Sequence, residues 1–327
     1  MRISGIDSVK ALAAFAVVYL HTPRSDALHW QVLTQFARFA VPFFFIISGY
    51  FFTLSHLRGE PIAKIFFRYV LRIGIILAAW LVFYDFIAPY IGGDAPRFKM
   101  GWIVYQWAVC PLSSQHGPSF HPWFLFALIE GLAMLAFFLA LNKPIISTSL
   151  CVGMFIGGLL ISSYSATPLG IHTSANALMT PFFSTLFVWI GSTLASSGFK
   201  YKPTFALMVF LLGFAFQLGE AWVLKSSFGT PLQEPNFLVG TIPFALGAVL
   251  VAFSFPGIGG VFNLKSIGKY SLGIYVLHPY LLEILKKQTV AGTLSALPLL
   301  LAIVVFMATA GSAWLCSRNR HLARLFC

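Results

Sequence analysis

Long apolar runs alternate with short polar segments along almost the whole chain. A helix needs about 20 apolar residues to cross the hydrocarbon core of a bilayer, and inside the bilayer it satisfies its own backbone hydrogen bonds. No alternating pattern typical of a membrane β-barrel is present. The runs predict an all-α, polytopic membrane protein with about ten transmembrane helices, near residues 6–22, 32–54, 70–91, 122–141, 145–163, 180–197, 204–224, 237–255, 268–286 and 295–316.

Composition supports this fold class. Hydrophobic residues make up 58% of the chain and charged residues 9%, whereas soluble domains carry about 25% charged residues. The net charge of +12 is typical of cytoplasmic loops rich in Lys and Arg. We therefore expect the lipid bilayer, and no nucleic acid, among the partners.

Lys and Arg also predict the orientation, because cytoplasmic loops carry an excess of them. If both termini are cytoplasmic, seven of the 21 Lys and Arg lie outside, and these are Arg24, Arg38, Arg97, Lys99, Lys225, Lys286 and Lys287. The other 14 (21 minus 7) then lie inside. This excess predicts cytoplasmic termini and an even number of helices.

A single membrane-embedded domain over 1–327 is expected, with no appended soluble domain, because the chain stops soon after the last predicted helix. The four cysteines are scattered and show no metal-ligand spacing. We expect no metal. Any chemistry would then take place in or at the helix bundle.

The first predicted helix carries Lys10 and His21 within an apolar run. Ionisable residues are expensive inside a membrane. Eleven residues place the two on one helix face, about 16 Å apart along the axis. His21 has the chemistry of a general base; the alternative is an interfacial histidine. Lys10 is suited to a phosphate or carboxylate; the alternative is an anchor that extends to the cytoplasmic surface.

Polar residues in the next two predicted helices allow two interpretations each. Ser48 with Gly49 is typical of close helix packing, and it is also a candidate substrate contact. Lys64, Arg68 and Arg72 recur every four residues, which places them on one basic stripe. That stripe would bind either anionic lipid headgroups or a phosphorylated soluble donor.

The fourth predicted helix begins after His121 and Trp123 and contains Glu130. Glu130 lies two to three turns inside the helix, where a carboxyl group is costly to bury in the membrane and therefore indicates a function. It could orient a histidine, pair with a buried cation or be protonated. We treat His121 and Trp123 as candidate substrate contacts.

In the ninth predicted helix, Ser271, Tyr275 and His278 are spaced by four and three residues. This spacing places them on one polar face of an apolar helix. The face could line a cavity, with Ser271 and His278 as substrate contacts. A packed polar network between helices is the alternative.

These motifs together resemble the membrane acyltransferase-3 family of bacterial integral-membrane O-acyltransferases. The resemblance rests on Ile6-Asp7-Ser-Val-Lys10 with His21, on Val41-Pro42-Phe-Phe-Phe-Ile-Ile-Ser48-Gly49-Tyr50, on His121-Pro-Trp123-Phe-Leu, and on Ser271-Leu-Gly-Ile-Tyr275-Val-Leu-His278-Pro279. It runs from residue 6 to about residue 280, in the family's usual order. The chain is similar to the short single-domain members, such as those of the enterobacterial common antigen type.

The resemblance implies ten helices and transfer of an acyl group, usually acetyl from acetyl-CoA, to a hydroxyl of a cell-surface glycan or its lipid-linked precursor. It implies His21 as the catalytic residue and a location in the bacterial inner membrane. Where the family usually has Arg, this chain has Lys10, which keeps the charge but loses the bidentate geometry. The family's arginine-rich cytoplasmic segment is loosely matched by Arg68 and Arg72.

The resulting hypothesis assigns acetyl-CoA binding to Lys10, Arg68 and Arg72. His21 would act as general base, with Glu130, Tyr275 or His121 orienting it or stabilising the oxyanion. A transient acetyl-histidine is an alternative route. A proton-coupled transporter or flippase, using His21, Glu130 and His278 as a relay, is the rival function. A structural scaffold within a glycan-assembly complex is a third possible function. The acceptor, the acyl group and any homo-oligomeric state are left open.

Overall fold

The computed structural model describes residues 3–23, 26–84, 123–198, 201–260, 263–287, 297–320 and 322–326. In these ranges the regular elements are helical and no strand is present, which confirms the predicted all-α class. The helices are α1 (Ser4–Leu20), α2 (Leu28–Ala37), α3 (Ala40–Leu57), α4 (Ile62–Val82), α5 (Trp123–Leu141), α6 (Pro144–Ile161), α7 (Pro181–Ser197), α8 (Pro203–Phe228), α9 (Thr241–Ser254), α10 (Leu264–Gly268), α11 (Ser271–Lys287), α12 (Pro298–Cys316) and α13 (Ala323–Phe326).

Each of the ten predicted segments contains a helix. Among the described residues, six segments are long and apolar enough to cross a membrane by themselves: Leu28–Leu57, Ile62–Val82, Trp123–Leu141, Pro144–Ile161, Pro203–Phe228 and Pro298–Cys316. These confirm a multi-pass membrane protein. The count of ten and the cytoplasmic termini stay predictions.

Two predicted segments, the second and the third, differ from the helices in the structure. The third segment, predicted at 70–91, is helical from Ile62 to Val82 and begins directly after the extended Pro61. The prediction began the helix after Lys64 and Arg68, yet both lie on it. Long cationic side chains can extend away from an apolar helix toward water, so they do not mark its end. The second segment, predicted as one helix over 32–54, is two helices separated at residues 38–39. The ninth, predicted at 268–286, agrees with α11 to within three residues.

The described helices form two compact units. The first comprises Met1–Phe43, Tyr201–Trp222 and Val239–Cys327. Within it, α1 packs against α9, α10, α11 and α12. Two fully buried glutamines are paired, with the Gln217 amide donating to the Gln35 carbonyl at 2.9 Å. This unit contains both ends of α1 and the whole of α11, so it carries His21 and His278.

The second unit comprises Phe44–Lys200 and Val223–Leu238. In it α5 packs against α4 and α7, and α6 packs against α7. A methyl group added to Gly49 would lie 2.0 Å from the Val188 carbonyl oxygen. Only glycine permits this approach, so the close helix packing predicted here is confirmed at Gly49.

Large apolar side chains cover the outer surfaces of several helices. In water such a surface would be costly, but in a bilayer lipid tails replace water as the solvent for it. Examples on α4, α6 and α8 are Phe67, Leu71, Ile145 and Leu212, which are 68%, 66%, 82% and 62% exposed. These surfaces agree with a membrane location.

Candidate functional site

His21 lies where the sequence predicted, at the C-terminal end of α1. The helix stops here because Thr22 precedes Pro23, and a residue before proline disfavours the helical conformation. The Thr22 hydroxyl donates to the Tyr19 carbonyl at 2.7 Å, which satisfies one of the carbonyls that a helix end leaves open. The His21 imidazole is half-buried.

The His21 ring is held by its own helix. Its Nδ1 lies 2.8 Å from the Val17 carbonyl oxygen. A carbonyl only accepts hydrogen bonds, so Nδ1 carries the hydrogen and, in the neutral ring, Nε2 carries the lone pair. One hydrogen bond therefore fixes the tautomer, as required of a side chain that acts as a base.

His278 packs against His21. The two ring centroids are 4.8 Å apart with an interplanar angle of 63°. This is an edge-to-face arrangement, which aromatic rings prefer when they pair. His278 is 1% exposed, and its Nδ1 lies 3.2 Å from the Ile274 carbonyl oxygen. It therefore has the same tautomer as His21, assigned from the same kind of partner.

Tyr275 and Ser271 precede His278 along α11. The Tyr275 ring centroid is 6.0 Å from that of His278. Ser271 begins α11, about 10 Å along the axis from His278. The predicted polar face is thus one helix face, on which His278 is in contact with His21 and Tyr275 with His278.

Lys10 has an acidic partner that the sequence analysis did not single out. Its Nζ lies 3.6 Å from the Asp7 carboxylate, one turn earlier on α1, and the two side chains are 28% and 10% exposed. The helix is unbroken from Lys10, its seventh residue, to the C-cap His21, so the predicted axial separation of about 16 Å holds. Asp7 offsets part of the Lys10 charge.

α1 and the chain that includes α10 and α11 run side by side. Near their first residues, a methyl group on Gly268 would lie 1.7 Å from the Asp7 carbonyl oxygen. Further along, at the end of α1 and in the middle of α11, His278 meets His21. Contact at these two points fixes the alignment of α11 with α1, so the histidine pair is a product of this packing.

A cavity of about 280 Å³ opens at the beginning of α1. It is lined by Ser4, Asp7, Lys265, Ser266 and Lys269. Lys265 and Lys269 were not predicted from the sequence as site residues. Their spacing of four residues was the signal that could have identified them. Within the described ranges, no three His, Cys, Asp or Glu side chains gather as metal ligands.

The basic stripe in the second unit lies on α4, with Lys64, Arg68 and Arg72 exposed. Arg68 donates a hydrogen bond to the Glu60 carboxylate. That bond, with the positive charges of Arg68, Lys64 and Arg58, holds the pKa of the Glu60 carboxyl below its usual range. The helical spacing is confirmed, and Arg68 is already engaged by an acid.

Three further candidates also lie in the second unit. Glu130 is half-buried, and its Oε2 has no hydrogen-bond partner among the described residues. Trp123 is 8% exposed and begins α5. The Ser48 hydroxyl donates to the Phe44 carbonyl at 2.8 Å, one turn earlier. His121 lies outside the described residues.

The chain is similar to one protein family and to one curated protein. A family model described as an acyltransferase domain, Acyl_transf_3, matches residues 3–318. The chain is also similar to a serine/alanine racemase of Enterococcus gallinarum, with 29% identity over 98% of this chain. The chain spans about half of that relative, 47% of its length. No solved structure is a significant match.

The family match covers the helices that carry Lys10, His21, Glu130 and His278, in agreement with the resemblance found from the motifs. It supports an acyltransferase embedded in a membrane, whose transmembrane helices were found independently. The chain therefore belongs to the acyltransferase-3 family of membrane acyltransferases.

Proposed function

We propose that this protein is an O-acetyltransferase that moves an acetyl group from acetyl-CoA to a hydroxyl of a cell-surface glycan or its lipid-linked precursor. His21 is the general base. The observation that carries this proposal is the hydrogen bond from His21 Nδ1 to the Val17 carbonyl. The neutral ring then carries its lone pair on Nε2, and we assign that nitrogen to the acceptor hydroxyl.

In the proposed reaction, His21 Nε2 takes the proton of the acceptor hydroxyl while the oxygen attacks the thioester carbonyl. The tetrahedral intermediate then collapses and the carbon–sulfur bond breaks. The leaving thiolate of coenzyme A takes the proton from His21, so the ring returns to its neutral form. Proton transfer by a positioned base contributes about 10²–10⁴-fold to a rate.

His278 is a positioning residue in this scheme. Its ring supports that of His21 from the side, and Tyr275 in turn contacts His278. Tyr275 therefore acts through His278, and we assign it no direct contact with the reacting atoms. Glu130 stays a candidate catalytic residue, Trp123, Ser48 and His121 stay candidates for the acceptor side, and Arg68 and Arg72 stay candidates for the donor.

The acceptor has a second candidate class. The racemase relative is named for serine and alanine, and serine carries a primary hydroxyl that could accept an acyl group. A small hydroxylated molecule is therefore a rival to the glycan. Both acceptors use the same step at His21, so the choice between them is made by assaying each with the purified protein.

Release of free thiol from acetyl-CoA tests the proposal. The variants His21→Ala and His21→Asn are compared with wild type, because the asparagine amide can still donate to the Val17 carbonyl but supplies no base. Both are expected to lose at least 100-fold in rate. His172→Ala, an exposed histidine in a loop, is the matched control and is expected to retain full activity.

Other results lead to other functions. Activity that survives in His21→Asn contradicts the base assignment. Radiolabelled acetyl groups that remain on the acid-quenched wild type, and not on the variants, indicate an acetyl-histidine route. Transport of a small molecule without consumption of acetyl-CoA would support the transporter.

A further inference from the structure

The cavity at the beginning of α1 is unused by the chemistry at His21. Its volume is about 280 Å³, and its charged residues are Lys265, Lys269 and Asp7. The carboxylate of Asp7 is paired with Lys10 at 3.6 Å. With that charge offset, the two lysines leave the cavity with an excess of positive charge.

Lys265 and Lys269 lie four residues apart, on one face of the short helix and its last turn. Like charges at this spacing repel one another. In the part of the chain that the structure describes, neither lysine forms an ion pair. An anion between them would relieve the repulsion, since two ammonium groups attract a phosphate strongly at short range.

The lysine arrangement is partly fixed in advance. The Lys269 ammonium lies 4.7 Å from the centroid of the Tyr270 ring, and Tyr270 is 6% exposed. The two serine hydroxyls are already used as donors, Ser4 to the Pro256 carbonyl and Ser266 to Asn263. Recognition in this cavity therefore depends mainly on charge.

The position of the cavity suits a long donor molecule. Asp7 at its wall and His21 are fourteen residues apart on α1, which is about 21 Å along the axis. The cavity and the histidine pair lie in the same compact unit. Coenzyme A has its phosphates at one end and its thiol at the end of an extended arm. A phosphate held beside Asp7 would direct the arm along α1.

We infer that the cavity lined by Ser4, Asp7, Lys265, Ser266 and Lys269 is a phosphate-binding subsite for the acyl donor. Its ligand is the 3′-phosphate or diphosphate of coenzyme A. The identity of the donor rests on the proposed function. The phosphate of an anionic lipid headgroup has the same chemistry, and the experiment separates the two sources.

The test is equilibrium binding of radiolabelled coenzyme A to the purified full-length protein in phosphatidylcholine nanodiscs. Wild type is compared with Lys265→Gln/Lys269→Gln, with His21→Ala, and with Lys143→Gln/Lys202→Gln, a pair of exposed lysines elsewhere. The cavity double variant is expected to bind at least tenfold more weakly. His21→Ala and the control are expected to bind as wild type, and rising salt is expected to reduce the difference.

The outcomes distinguish this inference from the proposed function. If the cavity variant binds as wild type, the subsite is wrong, while thiol release still tests His21. If no form binds coenzyme A, the donor is wrong and the subsite assignment falls with it. The melting temperatures of wild type and the cavity variant are also compared in nanodiscs with and without phosphatidylglycerol. If phosphatidylglycerol raises the melting temperature of wild type only, and both forms bind coenzyme A equally, the cavity binds a lipid headgroup and the inference is overturned.

Discussion

The imidazole of His278 lies edge-on against that of His21, with ring centroids 4.8 Å apart. The two residues are 257 positions apart in the chain (278 minus 21). Each ring is anchored by its Nδ1 to a carbonyl of its own helix, at Val17 and Ile274. The pair therefore has a defined orientation before any substrate binds.

Removal of the His278 ring is expected to lower kcat for acetyl-CoA about tenfold in His278→Ala, with KM unchanged. A tenfold effect corresponds to about 1.4 kcal/mol, the upper range of an aromatic pair. His278→Phe keeps a ring against His21 and is expected to restore most of the rate. Steady-state thiol release measures both constants. An inactive His278→Phe would show that a nitrogen of His278 is needed.

Lys10 and Asp7 are expected to act as a pair. Lys10→Met leaves the Asp7 carboxylate, which is 7% exposed as a residue, without that cation. The double variant Lys10→Met/Asp7→Asn should therefore be more stable than Lys10→Met alone. A double-mutant cycle on thermal unfolding should give a coupling of about 0.5 kcal/mol. Additive effects of the two substitutions would contradict the pairing.

Gly268→Ala is expected to destabilise the first unit. The added methyl group would lie 1.7 Å from the Asp7 carbonyl oxygen, and such overpacking costs about 1–3 kcal/mol. Gly74→Ala on α4 is the matched control, because a methyl group there meets nothing within 4 Å. The control should melt at or above the wild-type temperature. Equal melting of both variants would exclude close contact at Gly268.

The ion pair of Glu60 with Arg68 is expected to respond to pH. Because the pKa of Glu60 is lowered in the folded state, its contribution is present above the ordinary carboxyl pKa and is lost as pH falls through the lowered value. Wild type should melt slightly above Glu60→Gln at pH 7, and the difference should shrink as pH falls below the ordinary carboxyl pKa of about 4.3. Glu234→Gln, an exposed glutamate with no ion pair among the described residues, should show no such difference.

Hydrophobic runs predicted the helices of this protein because a span in lipid has to be both apolar and helical. They predicted the boundaries of α4 less well, since Lys64 and Arg68 lie on the helix itself. They could not show that α2 and α3 are separate helices. Breaks of one or two residues leave the apolar pattern unchanged and depend on packing.

In the candidate site, too, some features could be predicted from the sequence and others could not. Spacing within one helix predicted that Ser271, Tyr275 and His278 share a face, because a single helix has a fixed geometry. The partners of Lys10 and Arg68 were not predicted, although Asp7 and Glu60 are close in sequence. Closeness in sequence does not show that two side chains meet, and only the folded chain brings each cation to its acid.

By itself, the sequence determined the helical membrane class, the family and the position of His21 at the end of α1. Local periodicity and steric rules at Pro23 suffice for these. Only the tertiary structure decided that His278 meets His21 and that Lys265 and Lys269 share a cavity with Asp7. These contacts join residues more than 240 positions apart. They depend on how closely two backbones approach at Gly268, which no local pattern records.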